Sequence, residues 1–136
     1  MSRPLHILCI DDEEDILEVV RLCLSFDGGF TVSTCNGGAE ALNFLAQTHP
    51  DLILLDVMMP GMDGSATFRA IRAMEPACGA PMIFMTARIQ ESEVQHYLAL
   101  GAIGVVPKPF DPVTLASEIR KAYDAWANGP GTRAGA

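Results

Sequence analysis

Five short, strongly apolar runs, spaced along 136 residues, constrain the fold of this chain more than any other feature. They are Leu5–Ile10, Phe30–Cys35, Leu52–Leu55, Met82–Met85 and Ile103–Val106. Each has the length of a strand, and stretches such as Ile53-Leu54-Leu55 and Ile83-Phe84-Met85 are apolar at consecutive positions. A strand with one wet face alternates apolar and polar residues, whereas a strand covered on both faces does not. The runs therefore predict a parallel sheet buried between two layers.

Segments of helical spacing separate the runs. The first carries Ile16, Leu17, Val20, Cys23 and Leu24 on one stripe, after the acidic opening Asp12-Glu13-Glu14-Asp15 and before Gly28-Gly29. The second carries Ala41, Leu42, Leu45 and Ala46 and closes at His49-Pro50; the third carries Ala66, Ile71 and Met74 and stops before Pro76. Val94, Tyr97 and Leu98 mark a fourth, ending at Gly101, and Leu115, Ile119, Ala122 and Trp126 a fifth, starting near Asp111-Pro112. Five alternations of strand and helix, joined by right-handed crossovers, predict a three-layer, doubly wound α/β domain. Its ligand site should lie beyond the C-terminal ends of the strands.

Composition is consistent with this reading. Hydrophobic residues make up 49% and charged residues 19%, enough for one packed core. A net charge of -8 repels phosphate backbones and anionic lipid, so direct binding of nucleic acid or membrane is not expected. No run approaches the ~20 apolar residues of a membrane span, and Met-Ser-Arg-Pro does not open a signal peptide. Cys9, Cys23, Cys35 and Cys78 are scattered, which fits a reducing compartment. A cytoplasmic protein is the expectation. Residues 1–128 read as the domain, and Gly129 to Ala136 as a flexible tail, or as a linker to something further.

The topology turns sequence position into geometry. Asp11 and Asp12 follow the first strand, Asp56 ends the third, Thr86 ends the fourth and Lys108 follows the fifth, so all five converge on one sheet edge. Each residue alone has a plainer reading. Asp11 and Asp12 would cap the helix that follows, Thr86 would be a strand threonine and Lys108 a surface charge. Asp56 resists such a reading, because it precedes the turn Met58-Met59-Pro60-Gly61 and has no helix to cap. Three clustered carboxylates repel one another unless a cation neutralises them, and an all-oxygen set suits magnesium. His6, His49 and His96 fall in different elements and form no zinc site.

These residues resemble the receiver domain of two-component response regulators, of the chemotaxis type. The likeness runs from the strand before Asp11-Asp12, through Asp56-Val57-Met58-Met59-Pro60-Gly61-Met62-Asp63-Gly64, to Thr86-Ala87 and Lys108-Pro109-Phe110. It implies a flavodoxin-like receiver fold with strand order 2-1-3-4-5. By the same resemblance Asp56 is the phosphoacceptor. Asp12, Asp56 and the Met58 carbonyl hold Mg2+, with Asp11 reaching it through water, while Lys108 and Thr86 bind phosphoryl oxygens. The donor would be a histidine kinase or a phosphotransfer protein, and the output a protein-docking surface; such a domain is not a turnover enzyme. It also implies a cis Lys108–Pro109 bond.

Two departures stand out. The aromatic residue that relatives carry three positions before the lysine is Val105 here, and Pro107 precedes Lys108. With no ring to move at 105, the signal is expected to pass through Thr86 and the loop Ala87-Arg88-Ile89-Gln90. Proline lacks an N–H and is tolerated in a strand only at an end or an edge, which the fifth strand provides. Two alternatives remain. A haloacid-dehalogenase-like, Mg-dependent phosphatase would need an acid two residues after Asp56, where Met58 stands. A receiver-shaped interaction module that is never phosphorylated is the other.

Overall fold

A computed structural model describes residues 4–27, 29–59, 61–74, 79–87 and 90–128. The strands are β1 (His6–Ile10), β2 (Thr31–Cys35), β3 (Leu52–Asp56), β4 (Met82–Thr86) and β5 (Gly104–Pro107). They alternate with α1 (Glu14–Asp27), α2 (Gly38–Leu45), α3 (Gly64–Arg72), α4 (Glu91–Leu100) and α5 (Leu115–Asn128). All pairings are parallel, in the order β2-β1-β3-β4-β5. The expected fold and strand order are therefore present.

The side-chain period of two sorts each strand between two cores. Ile7, Cys9, Leu52, Leu54, Ile83 and Met85 face Leu17, Val20 and Leu24 of α1 and Leu115 and Ile119 of α5. Leu8, Ile10, Ile53, Leu55, Met82 and Phe84 face Ala41 and Leu45 of α2, Phe68 and Ile71 of α3 and Tyr97 of α4. Every residue of β3 and β4 is buried, which is why these strands read as unbroken apolar runs. Cys9 and Cys35 are free thiols inside this packing. Burial pushes the Cys9 thiol far up and the Cys35 thiol to about 11, with Glu40 adding to the latter, so both stay protonated and behave as small apolar groups.

Some expectations need correcting. Ala46 is the exposed C-cap of α2 rather than part of its buried stripe, because the helix ends at Leu45. Leu98 is 38% exposed; α4 turns the Tyr97 ring inward, and the next residue points about 100° away around the helix. Phe68, absent from the expected stripes, is buried and stacks on Phe84 at 5.5 Å. Gly101 ends α4 as expected, with φ 118 in the left-handed region that favours glycine. Pro107 closes β5, which is an edge strand. The helix stops at Gly28 and Pro76, Cys78, Pro60 of the turn, Arg88-Ile89 and the 129–136 tail lie outside the described residues. No helix among the described residues is long and apolar enough to cross a membrane.

Candidate functional site

Three carboxylates meet at the C-terminal edge of the sheet because two neighbouring strands end there. Asp11 and Asp12 follow β1, Asp56 is the last residue of β3, and the two strands pair directly. One oxygen of each carboxylate lies within 4.8 Å of the others. Asp11 and Asp56 are buried, whereas Asp12 is exposed.

The end of β5 supplies the countercharge. The Lys108 backbone N–H donates to the Thr86 carbonyl at 2.9 Å, which continues the β4–β5 pairing past Pro107. The side chain reaches back across the sheet edge. Its Nζ donates to Asp11 Oδ2 at 2.9 Å and lies 2.9 Å from Glu13 Oε1 and 3.2 Å from Asp56 Oδ1. The Lys108–Pro109 bond is cis.

Asp11 engages both of its oxygens, neither of them with an N–H of α1. Oδ1 accepts the Glu13 N–H at 2.9 Å, just before α1, while Oδ2 takes Lys108. Asp56 is less well served. Its Oδ1 faces Lys108 and, at a long 3.4 Å, the Met58 N–H. Its Oδ2 is buried with no hydrogen-bond partner among the described residues. Buried polar atoms are nearly always satisfied, so an orphan marks a position where something else is meant to bind.

The electrostatics agree. Burial pushes the Asp56 carboxyl up from 3.8 to about 6; the neighbouring Asp11 adds to the rise and Lys108 opposes it. Burial raises Asp11 too, against its bonds to Lys108 and the Glu13 N–H. For Lys108 burial works downward, but its hydrogen bonds to Asp11 and Glu13 outweigh it and hold the ammonium above its usual range. One cation among these carboxylates leaves the edge negative. An oxygen-only set with an orphaned buried oxygen and one exposed, approachable member (Asp12) fits a hard divalent cation such as magnesium.

Asp12, Asp56, Met58, Ala87 and Lys108 line a cleft of about 520 Å³, with the Met58 side chain exposed at its rim. Thr86, the buried last residue of β4, lines the adjoining cleft, which shares Met58 and Ala87 with the first. Every residue expected at the site is thus at this edge, with Thr86 on its border. The loop after β3 is held close by Gly64, whose N–H donates to the Val57 carbonyl at 2.9 Å. A Cβ there would sit 2.5 Å from the Asp56 carbonyl oxygen and 2.7 Å from the Val57 Cα. Asp63 caps α3, its Oδ1 accepting the Ala66 N–H at 2.8 Å. Val105 packs against the core in which Phe84 and Tyr97 meet at 4.7 Å, so aromatic rings near that position come from β4 and α4. Glu13 is the site residue that sequence reasoning missed. It reads as one of four acids opening a helix, and only its place beside Asp11-Asp12 hinted at more.

Comparison with known proteins gives the same picture. The family model for the response regulator receiver domain matches residues 7–120. The chain is 36% identical over 135 residues to the transcriptional regulatory protein CseB of Streptomyces avermitilis, covering 98% of this chain and 56% of that protein. It is 39% identical over 116 residues to the response regulator MprA of Mycobacterium leprae, covering 85% of this chain and 50% of that one. The chain therefore spans about half the length of the curated relatives it matches. Among solved structures, the chemotaxis protein CheY4 of Vibrio cholerae superposes with a TM-score of 0.79 at 31% identity, over 88% of this chain and 98% of that one. A sheet of order 2-1-3-4-5, an acidic edge closed by a lysine and these likenesses together place the chain in the response regulator receiver domain family of two-component systems.

Proposed function

We propose that this domain accepts a phosphoryl group on Asp56 from the phosphohistidine of a histidine kinase or phosphotransfer protein, and that the modification switches a protein-docking surface. The observation that carries the reading is Asp56 Oδ2, a buried carboxylate oxygen without a partner among the described residues, set in a cleft beside an ammonium. Above pH ~6 the carboxyl is ionised and this oxygen has a free lone pair. The lone pair forms the O–P bond while the P–N bond of the donor breaks; the electron pair leaves on the imidazole nitrogen.

Phosphoryl transfer asks the protein for position and charge more than for covalent help. Lys108 engages Asp56 Oδ1 and leaves Oδ2 without a partner among the described residues, and its ammonium then serves a phosphoryl oxygen. Thr86 supplies a hydroxyl at the border of the cleft for a second oxygen. Asp12, Asp56 and the Met58 carbonyl would hold Mg2+, with Asp11 acting through water, since both Asp11 oxygens are already engaged. When bound, that ion would supply charge neutralisation for the incoming phosphoryl group.

On this reading residues up to Asn128 make up the receiver, which phosphorylates and dephosphorylates itself without turning over an external substrate. The signal leaves through Thr86 and the segment after it. Intact mass after incubation with acetyl phosphate and magnesium tests the assignment. One phosphate should add to the parent chain and none to Asp56→Asn; equal addition to both would overturn it.

A further inference from the structure

An ammonium has three N–H donors, and here three carboxylates claim them: Asp11 at 2.9 Å, Glu13 at 2.9 Å and Asp56 at 3.2 Å. A phosphoryl oxygen arriving at Asp56 must displace one of them, and burial decides which. Asp11 is wholly buried, and its other oxygen is tied to the Glu13 N–H, so releasing it would strand a charge in the interior. Asp56 Oδ1 belongs to the group being modified and stays beside Nζ. The Glu13 side chain is 59% exposed and returns to water with little loss, since exposed ion pairs are weak.

We propose that Glu13 is a positioning residue of the phosphoacceptor site: it holds the Lys108 ammonium at the cleft mouth in the unmodified protein, yields it to the phosphoryl oxygen, and thereby slows modification of Asp56. The inference rests on the reading of Asp56 as phosphoacceptor. During transfer from acetyl phosphate, the Asp56 oxygen forms its bond to phosphorus as the donor's P–O bond breaks and the electron pair leaves on acetate. Lys108 only changes its partner, and Glu13 neither gains nor loses a proton. Glu13 acts twice against the forward step, by occupying the ammonium and by setting a negative charge where an anionic donor enters. Both effects weaken with salt, because the Glu13 carboxylate is exposed and the Debye length is about 10 Å at 0.1 M.

The backbone bonds of Glu13, its N–H to Asp11 and its carbonyl from Leu17, survive side-chain replacement. Glu13→Gln and Glu13→Ala in the full chain therefore serve as two independent tests. The first readout needs no metal. Lys108 and Lys121 are the only lysines, so their ammonium signals in nitrogen-15 NMR are assignable. The Lys108 signal should shift and exchange faster in both variants, while that of Lys121 stays put. The second readout is the rate of phosphate addition from acetyl phosphate with magnesium. Both variants should exceed the parent by about two- to fivefold at low salt, with the excess shrinking as salt is added. An unmoved Lys108 signal, a rate equal to the parent's, or an excess indifferent to salt overturns the proposal. If Asp56→Asn stays unmodified while the Glu13 variants match the parent, this inference alone falls; if Asp56→Asn is still phosphorylated at the parent's rate, the phosphoacceptor reading falls and takes this inference with it.

Discussion

Replacing Asp56 by asparagine should stabilise the metal-free protein above pH 6, at the very residue the proposed function depends on. In the folded chain, burial and the Asp11 charge raise the Asp56 carboxyl from 3.8 to about 6. Between these two values the folded state binds more protons than the unfolded one, so stability falls as pH rises through that window and stays reduced above it. At pH 7 the rise corresponds to about 3 kcal/mol. Asparagine removes the charge and keeps the shape. The contact at 3.2 Å with Lys108, which retains Asp11 and Glu13, is already counted in that net rise, because Lys108 opposes it. The gain is then about 3 kcal/mol, or about 12 °C in Tm for a chain of this size. Because Asp11 and Asp56 repel each other, neutralising one also relieves the other, and the pH dependence belongs to the pair. Thermal and urea melts in a chelator from pH 4 to 8 measure this. The variant should lead the parent at pH 7 to 8, and the gap should close toward pH 4 as the parent's carboxyl takes up its proton. Coincident melts above pH 6, or a gap that does not change with pH, would refute the argument.

Other outcomes follow from the same geometry. Magnesium at 100 times its Kd should stabilise the parent by about 2.7 kcal/mol, with the effect fading on acidification through about pH 6 as Asp56 protonates; an equal magnesium-induced rise in Tm for Asp12→Asn would remove Asp12 from the ligand set. Gly64→Ala should cost about 1–3 kcal/mol and blunt the magnesium response, because its Cβ would meet the Asp56 and Val57 backbone at 2.5 and 2.7 Å; an unchanged urea midpoint would show that the loop after β3 tolerates the side chain. Thr86→Ala should still bind beryllofluoride, a phosphoryl mimic, yet lose the amide shifts at Ala87 and the start of α4; the same pattern and size of shifts in both proteins would exclude a route through Thr86.

The runs of consecutive apolar residues in β1, β3 and β4 were sufficient to specify strands buried on both faces, since only such a strand has no wet side to mark with polar residues. Their alternation with helical stripes implied the doubly wound layers, and that topology brought Asp11, Asp12, Asp56, Thr86 and Lys108 to one edge from distant positions. Periodicity encodes burial residue by residue, so these features are local and legible. Tertiary packing decided what no local pattern records. Asp11 and Asp12 are adjacent and chemically identical, yet one is wholly buried and the other exposed, because the turn into α1 points a single carboxylate under the lysine. Lys108 lies 97 residues from Asp11, and its choice of partners depends on where β5 ends against β4. Glu13 joins it only because the turn from β1 into α1 lines the cleft, and Tyr97 rather than Leu98 enters the core because α4 docks on Phe84 at one rotation. Contacts of this kind depend on the relative placement of whole elements, a quantity that the spacing of residues within any one element does not contain.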